Sequence, residues 1–244
     1  MKICQYASYD INTGDNSTVY GIREYFKYNS SLSSIEWCNF NNNQEISRIA
    51  KNSPDVNSLS KAMLSSLKRM QDTTGCQLLL VGGGGQIEPR PGWANEITLP
   101  FNEEILDNMG VPVACVGLGI NYFRKKDPSE KVQISKIGFK NLECLIDKSI
   151  YFSVRNDGSY EILKDLFKTH SGSDETLSKV REIPDPGLFF ESELPNKNIK
   201  QIQSYVFQPS WNNSLEVRSG RGLTEQSISD VVESHILERP KYQH

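Results

Sequence analysis

The sequence predicts an α/β protein, in which a Rossmann-like parallel sheet is flanked by helices and followed by the start of a second α/β domain. Two observations support this fold class. Short apolar runs alternate with amphipathic stretches through residues 1–190, which is typical of parallel strands joined by helices. One of these runs, LLLV at 78–81, is apolar on both faces, as expected of a central parallel strand.

The first part of this domain contains three predicted strands and two predicted helices. The strands are the short apolar runs at 2–7, 35–40 and 77–81. A helix is expected at 17–28, because its apolar residues recur on one helical face. Another helix should begin at Ser53-Pro54, since proline is favoured in the first helical turn.

The second part repeats this alternation. A weaker helix is expected at 94–109, with Gly110 as its C-cap. The polar segment 169–178 predicts a surface loop. The remaining predicted elements are strands at 111–117, 150–154 and 180–183 and helices at 132–147 and 159–167.

Three segments are expected along the chain. The Rossmann-like domain covers 1–190, and ESELPNKNIK begins a linker at 191–201. The remaining residues, 202–244, supply one strand, one loop and one helix, which cannot bury both faces of a sheet. They therefore predict an incomplete start of a second α/β domain.

Composition excludes several classes of function. The net charge is −3 and the 27 basic residues are scattered, so no nucleic-acid surface is expected. The five cysteines form no CxxC pair and the three histidines stand apart, which predicts no metal site and no disulfide framework. No apolar run approaches the roughly 20 residues that span a bilayer, and no signal peptide is recognised. These features predict a cytoplasmic protein.

The strongest local signal is the run Gly82, Gly83, Gly84 and Gly85. It follows a predicted buried strand, at the sheet edge where open α/β proteins bind ligands. Glycine allows positive φ and close approach, so the N–H groups of the run can form an anion-binding nest. A tightly packed turn is the alternative. Neither a Walker A loop nor a GxGxxG fingerprint is present.

Two further segments join the same edge. Asn12, Gly14 and Asp15 lie between the first strand and the first helix, whose N-terminus favours an anion. Asp15, Asn16 and Ser17 are candidate N-caps, and a simple turn would use the same residues. Gly119 and Asn121 follow the strand at 111–117, where either ligand approach or backbone packing explains the glycine.

Two charged residues complete the candidate site. Arg155 ends the strand at 150–154, and its planar guanidinium suits a carboxylate or phosphate. The alternative is a surface arginine that pairs with Asp157. Asp185, in the turn Pro184-Asp185-Pro186-Gly187, either faces the cleft or bonds the backbone.

The order of these motifs resembles the polysaccharide pyruvyl transferase family. The resemblance rests on NTGD, LLLVGGGG, PVACVGLGI, FSVRNDGSYEILK and IPDPGL, with a weaker continuation in SYVFQPSWNN. The glycine run and the SVRxDxSxxxL element, which contains Ser159, are the specific parts. Asn156 stands where the family more often has aspartate after the arginine.

The resemblance implies a GT-B-like pair of Rossmann domains that face each other across a cleft. It also implies transfer of the enolpyruvyl unit of phosphoenolpyruvate, as co-substrate, to a saccharide of a cell-surface glycan, which forms a pyruvate ketal. No other cofactor and no metal are implied. The acceptor could be lipid-linked, which would bring the protein to the membrane surface. Arg155 would then be the catalytic residue, and the glycines and polar residues named above would bind substrate.

Two other functions stay open at this point. A GT-B glycosyltransferase with a nucleotide-sugar donor would share the architecture. In a non-catalytic assembly module, the incomplete second domain would pair with another chain, and a homo-oligomer is one such possibility. Because a cleft enzyme needs two walls, the chain is expected to be inactive alone, and whether it is an enzyme by itself stays undecided.

Overall fold

The computed structural model describes residues 1–7, 13–29, 34–41, 46–120 and 133–189. All of them belong to one compact unit. The predicted linker and the predicted second-domain segment lie outside the described residues, as do the candidate site residues Asn12 and Asn121.

The six strands form one parallel sheet, which confirms the predicted α/β, Rossmann-like fold. Their order is β2-β1-β3-β4-β5-β6, so the direction of strand addition reverses between β1 and β3. Ligands of open α/β sheets bind in the crevice at such a reversal, beyond the carboxyl ends of the strands. The strands are β1 (Lys2–Ala7), β2 (Glu36–Asn41), β3 (Leu78–Gly82), β4 (Val113–Leu118), β5 (Tyr151–Arg155) and β6 (Val180–Ile183).

Helices connect these strands, and a short 3-10 turn follows the last strand. They are α1 (Thr13–Asn29), α2 (Ser47–Asn52), α3 (Val56–Thr74), α4 (Glu103–Asn108), α5 (Lys136–Lys148), α6 (Ser159–His170), α7 (Asp174–Ser178) and the 3-10 turn (Pro186–Phe189). Local chemistry explains the ends of the longest helix. Asp55 caps α3 by accepting a hydrogen bond from the Ser58 N–H, and Gly75 ends it with a φ of +66°.

The core is divided by the sheet. On one face, a large buried cluster joins the strands to α3, α4, α5 and α6. On the other face, a smaller cluster joins Ile3, Leu78, Leu80 and Ala114 to Ile22 of α1. Within the described residues, α1 is therefore the helix that packs on this second face. Its packing brings its N-terminal turn to the carboxyl edge of β1 and β3.

The first helix begins at Thr13, four residues before the predicted start. Asp15, Asn16 and Ser17 therefore lie inside the helix, and their predicted role as N-caps is wrong. The hydroxyls of Ser17 and Thr18 both donate to the Gly14 carbonyl, at 2.8 and 3.0 Å. These local bonds let polar residues that usually favour turns sit within a helix.

Three other boundaries differ from the sequence prediction. The predicted helix at 94–109 is a loop up to Asn102, which caps the short α4 by accepting from the Ile105 N–H. The predicted loop at 169–178 instead contains the end of α6 and all of α7, which Ser173 caps. Finally, α3 begins at Val56, so Pro54 precedes the helix rather than lying in its first turn.

Candidate functional site

The glycine run packs directly against α1. A Cβ on Gly83 would lie 2.8 Å from Cγ2 of Val19, and a Cβ on Gly84 would overlap Oδ1 of Asp15. The φ angles of Gly83 and Gly84 are +101° and +85°, which disfavour other residues. A Cβ on Gly82 would overlap the Val116 carbonyl. The absence of side chains therefore lets the start of α1 approach the ends of β3 and β4.

The carbonyl groups of this loop are bonded, whereas one of its N–H groups is not. Gly84 accepts at its carbonyl from the N–H groups of Gln86 and Gly119, both at 3.1 Å. The Gln86 amide donates to the Gly83 carbonyl at 2.7 Å. The N–H of Gly83 continues the ladder of β3 toward the Val116 carbonyl, whereas the N–H of Gly84 donates to no described residue. Because Gly84 is buried, this donor needs a water molecule or a ligand.

Gly119 links the glycine run to Arg155. Its N–H donates to Gly84, and a Cβ at this position would overlap Nη2 of Arg155. The lack of a side chain at Gly119 therefore allows the Arg155 guanidinium to approach the backbone, and ligand binding by Gly119 stays a prediction. Gly14 and Gly85, which complete the predicted glycines, lie at the start of α1 and at the end of the run.

Arg155 is held between two carboxylates. Its Nη2 lies 2.8 Å from Oδ2 of Asp157, and its Nη1 lies 3.1 Å from Oδ2 of Asp185. Only 17% of its side chain is exposed, and its buried Nε donates to no described residue. The pairing with Asp157 that the sequence left as the alternative is therefore present, together with a second pairing. One positive charge faces two negative charges in this arrangement.

Asp185 connects this pair to α1. Its Oδ1 accepts from the Gly187 N–H at 2.8 Å and lies 3.4 Å from the hydroxyl oxygen of Thr18, whose proton is donated to the closer Gly14 carbonyl. The following Pro186 is close to α1 as well, because a Cβ on Gly21 would overlap its carbonyl. The turn after β6 thus crosses the carboxyl edge and returns to the first helix. Asp185 both faces Arg155 and bonds the backbone.

A model of the polysaccharide pyruvyl transferase family matches residues 12–237 of this chain. The chain belongs to that family. Among solved structures, UDP-GlcNAc 2-epimerase from Neisseria meningitidis, bound to UDP-GlcNAc, is similar at 13% sequence identity and a TM-score of 0.41. The match covers 77% of this chain and 47% of that one, so the chain spans about half of its length. No curated protein matches.

Ser159, which belongs to the SVRxDxSxxxL element of this pyruvyl transferase family member, supports its neighbours. It is buried, and its hydroxyl donates to Oδ1 of Asp157 at 2.6 Å and accepts from the Ile120 N–H at 2.9 Å. These bonds use its donor and place Asp157 beside Arg155. In this structure Ser159 joins the start of α6 to the end of β4.

Three polar residues of the site were not recognised from the sequence. Thr18 reaches Asp185, Gln86 holds the glycine loop, and Ser153 accepts from the Gly117 N–H at 3.0 Å. Gly117 has a φ of +61° and lies where the register of β4 against β5 shifts. The sequence offers one usable signal, an amide side chain directly after four glycines. Thr18 and Ser153 resemble ordinary helix and strand residues.

Burial shifts the pKa of several groups. The pKa of Glu88 is raised by desolvation, and the nearby Arg90 opposes this shift. Burial raises the pKa of the Cys4 and Cys115 thiols to about 12, which makes them poor nucleophiles. The described residues contain no group of three or more side chains placed to hold a metal ion. In the same part of the chain, no helix has the length and apolar character of a membrane span.

Proposed function

We propose that this chain forms the donor-binding wall of a pyruvyl transferase, which transfers the enolpyruvyl unit of phosphoenolpyruvate to a saccharide and forms a pyruvate ketal. One observation carries the proposal. A continuous series of contacts runs from the glycine loop through Gly119, Arg155 and Asp185 to Thr18 of α1. It joins motifs from distant parts of the sequence at the edge where open α/β sheets bind ligands.

The chemistry of this edge suits a ligand with two anionic groups. The unpaired N–H group of Gly84 can donate to a phosphate, as can the N-terminus of α1. Once a ligand displaces Asp157 or Asp185, the Arg155 guanidinium can donate to its carboxylate. Phosphoenolpyruvate carries both groups on one small skeleton, so it can use both sets of donors together.

The reaction then balances without any other reactant. An acid protonates the methylene carbon of phosphoenolpyruvate, and one sugar hydroxyl bonds to C2 while its proton passes to a base. A second hydroxyl bonds to C2 as the bond from C2 to the phosphate oxygen breaks. The second proton leaves with the phosphate. The products are a cyclic ketal and inorganic phosphate, and developing charge is stabilised by the fixed donors around the anion.

Calorimetric titration with phosphoenolpyruvate tests the proposal. We expect the unaltered chain to bind, and Arg155→Gln to bind about tenfold or more weakly, because a charge-assisted hydrogen bond contributes roughly 1.5–3 kcal/mol. Arg181→Gln, at an exposed position of β6, is the matched control and should bind normally. Stabilisation by UDP- or GDP-sugars but not by phosphoenolpyruvate would overturn the proposal in favour of a glycosyltransferase.

A further inference from the structure

The loop that follows the glycine run has a defined internal structure. Its two arms pair through the Thr98 N–H, which donates to the Glu88 carbonyl at 2.9 Å, and the Arg90 N–H, which donates to the Glu96 carbonyl at 2.8 Å. The Glu88 N–H donates to the Thr98 hydroxyl at 3.1 Å. At the base, the buried Asn95 amide holds the Leu99 and Phe101 carbonyls. The loop therefore presents its side chains in fixed positions.

This loop begins beside the candidate donor site. The N–H of Ile87 donates to the Gly119 carbonyl at 3.0 Å, and Gly119 lies against the Arg155 guanidinium. Glu88 is the next residue along the chain. The loop therefore begins one residue after a backbone bond to Gly119, which places its first residues near the candidate donor site.

The Glu88 carboxylate is placed at an energetic cost. Its side chain is only 12% exposed, and burial raises its pKa. Oε2 lies 2.7 Å from Nη2 of Arg90, whereas Oε1 accepts no hydrogen bond from any described residue. Oε1 does not belong to the buried atoms that lack a partner among the described residues, so it is accessible to solvent. A ligand hydroxyl can replace water as its donor.

Arg90 supplies the complementary groups. Its side chain is 44% exposed, and only Nη2 has a hydrogen-bond partner among the described residues. Its guanidinium carbon lies 5.6 Å from the centroid of the Trp93 ring, which fixes the orientation of the guanidinium. Free donors of Arg90 therefore stand beside a free acceptor of Glu88.

We propose that Glu88 and Arg90 bind the hydroxyl groups of the saccharide acceptor, next to Trp93. A sugar hydroxyl both donates and accepts, so two neighbouring hydroxyls match an acceptor oxygen and an N–H donor held side by side. The carboxylate disfavours a second anion at this position. The assignment rests on the proposed function, because the adjacent donor site is what identifies the saccharide as an acceptor.

The test uses the full chain and a panel of methyl hexopyranosides and methyl N-acetylhexosaminides as probes. Binding is followed by tryptophan fluorescence, and Trp93→Phe identifies the signal of that ring. We expect at least one glycoside to bind, and binding to weaken about tenfold in both Glu88→Gln and Arg90→Gln. Glu104→Gln, at an exposed position of α4, is the matched control and should bind as the unaltered chain does.

Parallel titrations with phosphoenolpyruvate separate this proposal from the proposed function. Weakened glycoside binding with unchanged phosphoenolpyruvate binding supports both proposals. Glycoside binding that depends on Glu88 in a chain that binds no phosphoenolpyruvate keeps this subsite and removes the pyruvyl transferase. The subsite is overturned if Glu88→Gln and Arg90→Gln bind glycosides as tightly as the unaltered chain, or if no glycoside binds at all. The two charges would then only stabilise the loop.

Discussion

At the scale of single residues, the charge balance around Arg155 decides how an anion can bind. The guanidinium already faces Asp157 and Asp185, so the three side chains carry a net charge of −1 when ionised. An incoming phosphate or carboxylate must compete with these two groups for the same N–H donors. Arg155 is therefore an anion site that the protein itself occupies in this structure.

Removing one of the competing charges should strengthen donor binding. We expect Asp185→Asn to bind phosphoenolpyruvate up to about tenfold more tightly, which corresponds to roughly 1.4 kcal/mol, because the amide keeps the shape of the side chain without its charge. Asp72→Asn, at an exposed site on α3, controls for net charge. Calorimetry measures both variants. Weaker binding in Asp185→Asn would show that the carboxylate holds Arg155 in its binding position.

The pKa of Glu88 predicts a pH dependence of stability. Burial raises its pKa above the ordinary 4.5, so the folded chain holds this proton more tightly than the unfolded chain. The contribution of Glu88 to stability is thus fully present below pH 4.5. It is lost as the pH rises through the pKa that Glu88 has in the folded chain. Relative to Glu88→Gln, the unaltered chain should lose free energy of unfolding over that interval. Urea unfolding from below pH 4.5 to neutrality measures this difference, and a constant difference would contradict the prediction.

At the scale of elements, α1 and the 3-10 turn pack together so closely at Gly21 that no side chain fits between them. Gly21 lies in the middle of α1, where alanine would normally stabilise a helix by about 1 kcal/mol. A Cβ at this position overlaps the Pro186 carbonyl, a backbone atom that cannot move alone. The identity of this residue is therefore set by the turn after β6 and not by helix propensity.

Gly21→Ala should consequently lower the free energy of unfolding, by about 1–3 kcal/mol as is typical of overpacking. Ser65→Ala, at an exposed position within α3, is the matched control and should raise it slightly through helix propensity. Chemical denaturation of both variants provides the measurement. A stabilised Gly21→Ala variant would mean that the turn does not rest on α1.

The difference between local propensity and tertiary contacts also explains which elements could be predicted from the sequence. Strands β1 and β6 have the predicted bounds, and β6 ends directly before the turn signal PDPG. The start of α1 could not be predicted, since the residues of TGDNS at 13–17 favour turns by local preference and are helical here, with Ser17 and Thr18 bonded to the Gly14 carbonyl. In 94–109, apolar spacing predicted a helix where the Asn95 side chain organises a loop.

Only those site residues could be predicted that directly follow the parallel strands of the sheet. Because strand ends share one edge, the glycine run, Gly119 and Arg155 could be assigned to one place. The partners of Arg155 could not be assigned in full. Asp185 reaches Arg155 because β6 pairs with β5 and the next turn crosses back toward α1, a long-range arrangement that no local pattern encodes.

At the scale of the whole molecule, an apolar groove lies beside α1 on the sheet face with the smaller core cluster. Its volume is about 590 Å³, and its lining includes Tyr25, Val116, Ile150, Tyr151 and Pro186. Ile150 is 67% exposed. Surfaces of this kind commonly mark an interaction site. We propose a second copy of the chain as the partner of this groove.

We expect the chain to self-associate through this groove, and Ile150→Lys to shift it toward the monomer, because burial of lysine in an apolar contact is costly. Ile137→Lys is the matched control, since Ile137 is 51% exposed on α5, which packs on the opposite face of the sheet. Sedimentation velocity over a range of concentrations measures both. A monomer at every concentration, or equal effects of the two variants, would exclude this contact.

The turn after β6 belongs to two surfaces at once. Asp185 bonds Arg155 at the sheet edge, while the adjacent Pro186 contacts α1 and lines the apolar groove. Where displacement of Asp185 from Arg155 also shifts Pro186, the two surfaces are thermodynamically linked. Whatever fills the groove then alters the affinity for the anion, and the anion alters the affinity of the groove by the same factor.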